Sequence, residues 1–207
     1  MILCLECPDL LISMPFSTDN SWPAGLLKIF EICGEVNRPL ESRYYGPYGK
    51  LISYCFGDSF TFFVAPQHPP DNSRREAIDF VFLIAFDALR RPVLIAEVKD
   101  DSWAGNPGLQ LEEDEQLRRR YHIMLSDCPL PHLWGLSLLG ISVSVYCGDV
   151  ATRVITPSYQ ARHHQEFIVP SRFLEGEWDL DLLSQEGFDK MKEIIVDTSR
   201  SSCGTSS

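Results

Sequence analysis

The chain is short of positive charge. Against 29 Asp and Glu it carries only 18 Lys and Arg, a net charge of −11 and a pI near 4.8. A protein that holds a long nucleic acid by electrostatics needs basic surface. This balance therefore points to a short or compact substrate, a basic partner, or acidity that serves only solubility. Long apolar runs are also missing. The N-terminal stretch MILCLECPDLLISM has no basic flank, carries Glu6 and Asp9 early, and is too short to span a bilayer. No signal peptide or membrane helix is expected, and the chain is read as intracellular, cytoplasmic or nuclear. The seven cysteines have no regular spacing, which suits free thiols in a reducing compartment. Cys4 and Cys7 have the spacing of half a zinc site, but no second pair follows. There is no internal repeat, no Walker loop and no glycine-rich dinucleotide fingerprint.

What is present suits a protein with a real core. A hydrophobic fraction of 44% and a charged fraction of 23% are ordinary for 207 residues in one domain. The segment from Ala77 to Asp101 organises the rest. It reads as two apolar strands joined by the polar loop Asp87–Pro92. Side chains alternate along a strand, so Val93, Ile95, Glu97 and Lys99 share one face, and Leu94, Ala96 and Val98 the other. On the first strand Asp79, Val81, Leu83 and Ala85 share a face. Both strands are apolar on both sides except at one end, the pattern of central strands. Antiparallel pairing would bring Asp79 to the Glu97–Lys99 end. An Asp, a Glu and a Lys there can hold a divalent metal beside a phosphodiester.

Around this hairpin, Ser21–Val36 reads as a helix with Ser21 as N-cap. Its Glu31 and Glu35 share a face and are candidate accessory residues. Asn37–Lys50, with Pro, Gly and three tyrosines, reads as a loop. Its tyrosines, with Arg38, Arg43 and Lys50, have the makings of a base-stacking surface, but packing against the domain is preferred. Leu51–Phe56 and Phe60–Ala65 read as strands. The loop before Asp79 holds His68, read as exposed, and Arg74 and Arg75, candidate phosphate contacts. A helix is expected over Gly108–Ser126, with Leu117, Tyr121, Met124 and Leu125 buried and Gln116 and Arg120 as further candidates. His132–Leu139 and Ile141–Cys147 read as strands, with Ala151–Thr156 pairing beside them. His163 and His164 read as surface. The expected organisation is an N-terminal segment (1–20), a core (21–157), a C-terminal extension with a helix (158–196) and a disordered tail (197–207).

The Asp79, Glu97-x-Lys99 arrangement resembles the PD-(D/E)XK nuclease superfamily over roughly Trp22–Asp149. Ile78 stands where the superfamily's name has proline. In overall texture the chain is similar to fungal members with a degenerate form of that domain. The resemblance implies an α/β fold with a restriction-endonuclease-like αβββαβ core, a central mixed sheet flanked by helices. It implies Mg²⁺ or Mn²⁺ held by Asp79, Glu97 and the carbonyl of Val98, with Lys99 orienting the attacking water or stabilising charge on the phosphorane. The function that follows is metal-dependent hydrolysis of DNA or RNA. The alternative is a catalytically inactive nuclease-fold scaffold or a protein-interaction domain, which the acidic surface suits.

Overall fold

The computed structural model describes residues 15–35, 42–57, 61–67, 82–160, 169–170 and 172–202. Asp79, Arg74, Arg75, His68, His163, His164, Cys4 and Cys7 lie outside the described residues. The helices are α1 (Pro15–Thr18), α2 (Ala24–Gly34), α3 (Ser42–Phe56), α4 (Pro107–Met124) and α5 (Gln185–Ser202). The strands are β1 (Phe62–Gln67), β2 (Phe82–Asp87), β3 (Pro92–Lys99), β4 (His132–Leu139), β5 (Ser142–Asp149), β6 (Ile155–Thr156) and β7 (Leu180–Asp181). They form one mixed sheet in the order β1-β2-β3-β4-β5-β6, with β7 also on β5. The pairing of β3 with β4 is parallel and the others are antiparallel. A parallel neighbour needs a long crossover, and α4 supplies it.

The β2–β3 hairpin forms as its sequence predicts. Phe82 lies opposite Glu97 and Ala85 opposite Leu94. The Asp87 carboxylate closes the turn by accepting from the backbone N–H of Leu89 at 3.0 Å and of Arg91 at 2.8 Å. Every residue of β3 is buried, as two apolar faces in mid-sheet require.

The loop and strand expected over Asn37–Phe56 are instead, from Ser42 on, the single helix α3. Pro47 and two glycines argued for a loop, but the apolar spacing decides. Tyr44, Tyr48, Leu51, Ile52, Cys55 and Phe56 recur at helical intervals, and all are buried. Gly46 and Gly49 have open space where a side chain would stand. The helix tolerates Pro47 because packing of this stripe outweighs one missing backbone hydrogen bond, which fits the rule that tertiary packing overrides propensity.

One face of the sheet is apolar. Leu94, Ala96, Val98, Trp134, Leu136 and Leu138 lie there in register, under α3 and α5, with Phe188 and Met191 of α5 in the same core. Trp22 anchors the N-terminal helices to this layer: its ring packs on Phe16 and Phe188, and its Nε1 donates to Leu182 O at 2.8 Å. The α5 helix continues to Ser202, through residues expected to be disordered from Asp197. The polar composition hid two ties. The Asp197 carboxylate accepts from Trp134 Nε1 at 2.8 Å and meets His132 Nδ1 at 3.1 Å, and the Thr198 hydroxyl donates to Ile194 O.

The other face is covered by α4. Asn106 caps this helix through the N–H groups of Gly108 and Leu109, with Pro107 in the first turn. Tyr121 lies flat on the sheet over Gly135 and Gly148. A Cβ on Gly135 would sit 2.5 Å from its hydroxyl, and one on Gly148 would sit 2.6 Å from its ring. The two glycines thus let α4 approach the strands, and Tyr121 OH donates to Leu133 O at 3.0 Å. Among the described residues, no helix is long and apolar enough to cross a membrane.

Candidate functional site

Burial on the α4 face follows a helical row that is half charged. Leu111, Glu113, Asp114, Leu117, Arg118 and Tyr121 all face inward. The strands beneath present Glu97 and Lys99 from β3 and Ser137 from β4, with Glu97 opposite Ser137 in the parallel register. Charged and polar groups from three elements therefore meet inside the protein.

Their arrangement is a chain of alternating charge. Lys99 Nζ lies 3.6 Å from Glu97 Oε1 and 3.9 Å from Glu113 Oε2. Arg120 Nε lies 3.6 Å from Glu97 Oε2. The other oxygen of Glu113 accepts from Ser137 Oγ at 3.0 Å, and Ser137 Oγ accepts from Trp178 Nε1 at 3.0 Å. Trp103 supplies a ring face 4.9 Å from Lys99 Nζ, a cation–π distance. Glu113 and Arg120, seven residues apart, straddle the β3 pair from two turns of one helix face. Glu97 is 2% exposed and Lys99 and Glu113 are 0% exposed, so these charges interact with little solvent screening. The two acids and two bases sum to zero charge, which makes their burial tolerable.

The turn after β3 is fixed from the opposite side of the chain. Arg43 of α3 pairs with Asp100 at 3.1 Å and with Asp101, while Tyr44 OH donates to Asp101 at 3.3 Å. Burial works against ionisation of Asp100. The N–H and hydroxyl of Ser102, with Arg43 beyond, outweigh it and hold the carboxyl below its ordinary range. Burial, reinforced by the Asp101 charge, raises the Tyr44 hydroxyl to about 12. Gly140, at φ +64°, tucks against this turn. Its N–H donates to Lys99 O at 3.1 Å, its carbonyl accepts from Tyr48 OH, and a Cβ there would lie 2.4 Å from that of Asp101. The backbone just after Lys99 is thus held by α3 and by the β4–β5 turn.

Of the residues singled out from sequence, the structure brings together Glu97, Lys99 and Arg120. Val98 lies between the pair with its side chain buried on the apolar face. Gln116 stands one turn before Arg120, and its amide donates to Glu112 at 3.2 Å rather than to the cluster. Glu31 is exposed and paired with Lys28 at 2.9 Å, and Glu35 is exposed at the end of α2. Neither has a contact with Glu97 or Lys99. Sequence reasoning missed Glu113, Ser137, Trp103 and Trp178. For Glu113 the signal was present: it falls on the same i, i+4 row as Leu117 and Tyr121. Ser137 alternates with Gly135 and Leu139 and so had to face α4. No sequence pattern pointed to Trp178, which comes from a distant turn.

The resemblance implies a hard divalent cation. The donors at hand are of the right kind, since Mg²⁺ and Mn²⁺ prefer oxygen. Among the described residues, Glu97 Oε2 is buried, accepts no hydrogen bond and lies 3.6 Å from Arg120 Nε. Among the described residues no three His, Cys, Asp or Glu side chains gather into a metal-binding group, and Asp79, the second expected ligand, lies outside them.

Comparison with protein-family models, with curated proteins and with solved structures returns no match. The structure by itself defines the class: a mixed α/β protein with a central mixed sheet flanked by helices and a buried charge cluster where β3 meets α4.

Proposed function

We propose that the chain is a metal-dependent phosphodiesterase of the PD-(D/E)XK type, acting on DNA or RNA through Asp79, Glu97 and Lys99. The observation that carries the reading is the burial of Glu97 and Lys99 in mid-sheet beside Glu113 and Arg120. A fold gains little from such a cluster, because apolar residues of similar volume often stabilise as well or better. Enclosed charges of both signs are more common where chemistry needs them. The order α3-β1-β2-β3-α4-β4 is also that of an αβββαβ core.

Asp79, Glu97 and the Val98 carbonyl would hold Mg²⁺ or Mn²⁺, which when bound supplies Lewis-acid stabilisation of phosphoryl charge and a more acidic water. Lys99 is held in place by Glu113, itself fixed by Ser137 and Trp178. From there its ammonium can orient the attacking water and donate to the phosphorane oxygen. Arg120 neutralises Glu97 in the resting protein and becomes a phosphate partner when the carboxylate is otherwise engaged. Arg74 and Arg75 are further phosphate contacts in this reading. The net charge of −11 favours short or compact substrates.

A second reading, an inactive scaffold or interaction domain of the same fold, is favoured by the position of the surface clefts. The clefts around Tyr159, Lys190 and Arg91 have neither Glu97 nor Lys99 in their walls. Cleavage of end-labelled single- and double-stranded DNA and RNA, with Mg²⁺, Mn²⁺ or EDTA, separates the two. We expect metal-dependent turnover that falls by about 100-fold or more in Glu97→Gln and Lys99→Met, with circular dichroism unchanged. Absence of turnover in the wild type on all four substrates would transfer the weight to the scaffold.

A further inference from the structure

A basic pocket lies on the outer flank of α4, built by residues that the charge cluster does not use. It has a volume of about 480 Å³ and is walled by Arg118, Arg119, His122, Arg153, Tyr159 and Glu115. That size is within the range of small-molecule sites. In a chain with a net charge of −11, three arginines and a histidine around one cleft are a local reversal of sign.

The pocket is anchored rather than loose. Arg118 Nε donates to both oxygens of Asp114 at 2.9 Å, and its Nη2 donates to Pro157 O at 2.7 Å. Its guanidinium lies 5.4 Å from the Tyr146 ring centre and 5.6 Å from that of Tyr159. Asp114 is pinned further by Tyr146 OH at 2.9 Å, and burial followed by the Asp114 charge raises that hydroxyl far above its ordinary range. Across the cleft Arg153 sits at φ +61°. The left-handed region costs a residue with a side chain about 1 kcal/mol. The turn is held there by Asp149, which accepts from the Thr152 N–H and hydroxyl and whose carbonyl accepts from Arg153 N. An arginine kept in a strained turn facing two others is a reason to look for an anion.

We infer that this pocket binds a mononucleotide, a nucleoside monophosphate. Arg119, Arg153 and His122 offer donors for the phosphate, and guanidinium forks suit phosphate oxygens. Tyr159 is 49% exposed and presents a ring on which a base can stack. Glu115 contacts Arg119 only at 3.9 Å and Tyr159 OH at 3.4 Å, so its carboxylate is left to accept from sugar hydroxyls. The site stands apart from Glu97 and Lys99, and its failure leaves the proposed hydrolytic site untouched.

The test is calorimetric titration at fixed ionic strength with AMP, adenosine and inorganic phosphate. The variants Arg119→Ala/Arg153→Ala and Tyr159→Leu alter exposed side chains that carry no core packing. We expect AMP to bind with a sub-millimolar Kd, and adenosine and phosphate each to bind at least tenfold more weakly. The double arginine variant should weaken AMP by about tenfold or more. Tyr159→Leu should weaken AMP and leave phosphate unchanged. The inference is overturned if AMP gives no saturable heat at millimolar concentration, if the double variant binds as the wild type does, or if phosphate alone binds as tightly as AMP.

Discussion

Replacing Lys99 by Met removes one positive charge from the buried cluster while keeping most of its volume. Lys99 Nζ stands 3.6 Å from Glu97 and 3.9 Å from Glu113. At an effective dielectric of about 20, each such pair attracts by about 4 kcal/mol before desolvation is counted. Loss of the cation takes that ammonium from both the Glu97 and the Glu113 carboxylates, and breaking a buried pair in this way costs about 3–5 kcal/mol. For a chain of this length that lowers Tm by roughly 6–20 °C. Glu113→Gln retains an acceptor for Ser137 while removing the second acid. The double variant, Lys99→Met/Glu113→Gln, returns the cluster to charge balance as a single Glu97–Arg120 pair. Its loss of stability should therefore fall short of the sum of the single losses by about 1–3 kcal/mol. Urea unfolding of the four proteins at pH 7, with unchanged m-values, measures the cycle. Additive effects, or a Lys99→Met variant within about 1 kcal/mol of the wild type, would refute the claim that these charges are mutually dependent.

Three further outcomes follow from the same geometry. Asp100, held ionised by Ser102 and Arg43, has a lowered carboxyl pKa, so its stabilisation is complete above the unfolded carboxylate range. It is lost as pH falls through the lower folded value. Asp100→Asn should thus be less stable at pH 7, with the difference from wild type shrinking below about pH 4 in acid unfolding curves. Gly135→Ala should cost about 1–3 kcal/mol by overpacking against Tyr121. Tyr121→Phe should recover part of that loss, since the atom nearest the new Cβ is the tyrosine hydroxyl; strict additivity in denaturation would count against the packing argument. Asp197→Ala should release Trp134 Nε1 and His132, costing about 1–2 kcal/mol and raising amide exchange in the last turns of α5.

The parts of this fold that were legible in sequence are those whose local pattern and tertiary environment agree. The β2–β3 hairpin announced itself through two apolar runs and a turn with Asp and Pro. The α4 helix did so through the spacing of Leu117 and Tyr121, both buried. The α3 helix was missed because Pro47, Gly46 and Gly49 outweighed a stripe that runs unbroken from Tyr44 to Phe56. Local turn chemistry lost there to burial of six apolar side chains. Serine and aspartate at the end of α5 suggested disorder because the partners of Asp197 are on β4, far away in sequence. For the site, Glu97 and Lys99 were found from alternation, and Arg120 from helix spacing. Glu113 was passed over because an acid inside an acidic run, Glu112–Glu115, reads as solvent-facing until its row is traced through Leu117 and Tyr121. Asp114 and Arg118, which shape the second pocket, were hidden for the same reason.

The most direct test of the central claim is the rate of metal-dependent oligonucleotide cleavage by the wild type beside the charge-balanced Lys99→Met/Glu113→Gln variant. Both are measured at a temperature where the two are fully folded. The account predicts turnover with Mg²⁺ or Mn²⁺ in the wild type, none in EDTA, and a loss of about 100-fold or more in the variant. Equal turnover in the two proteins would contradict it by removing Lys99 from the chemistry. Absence of turnover in both would contradict it as well, by leaving the buried cluster as architecture.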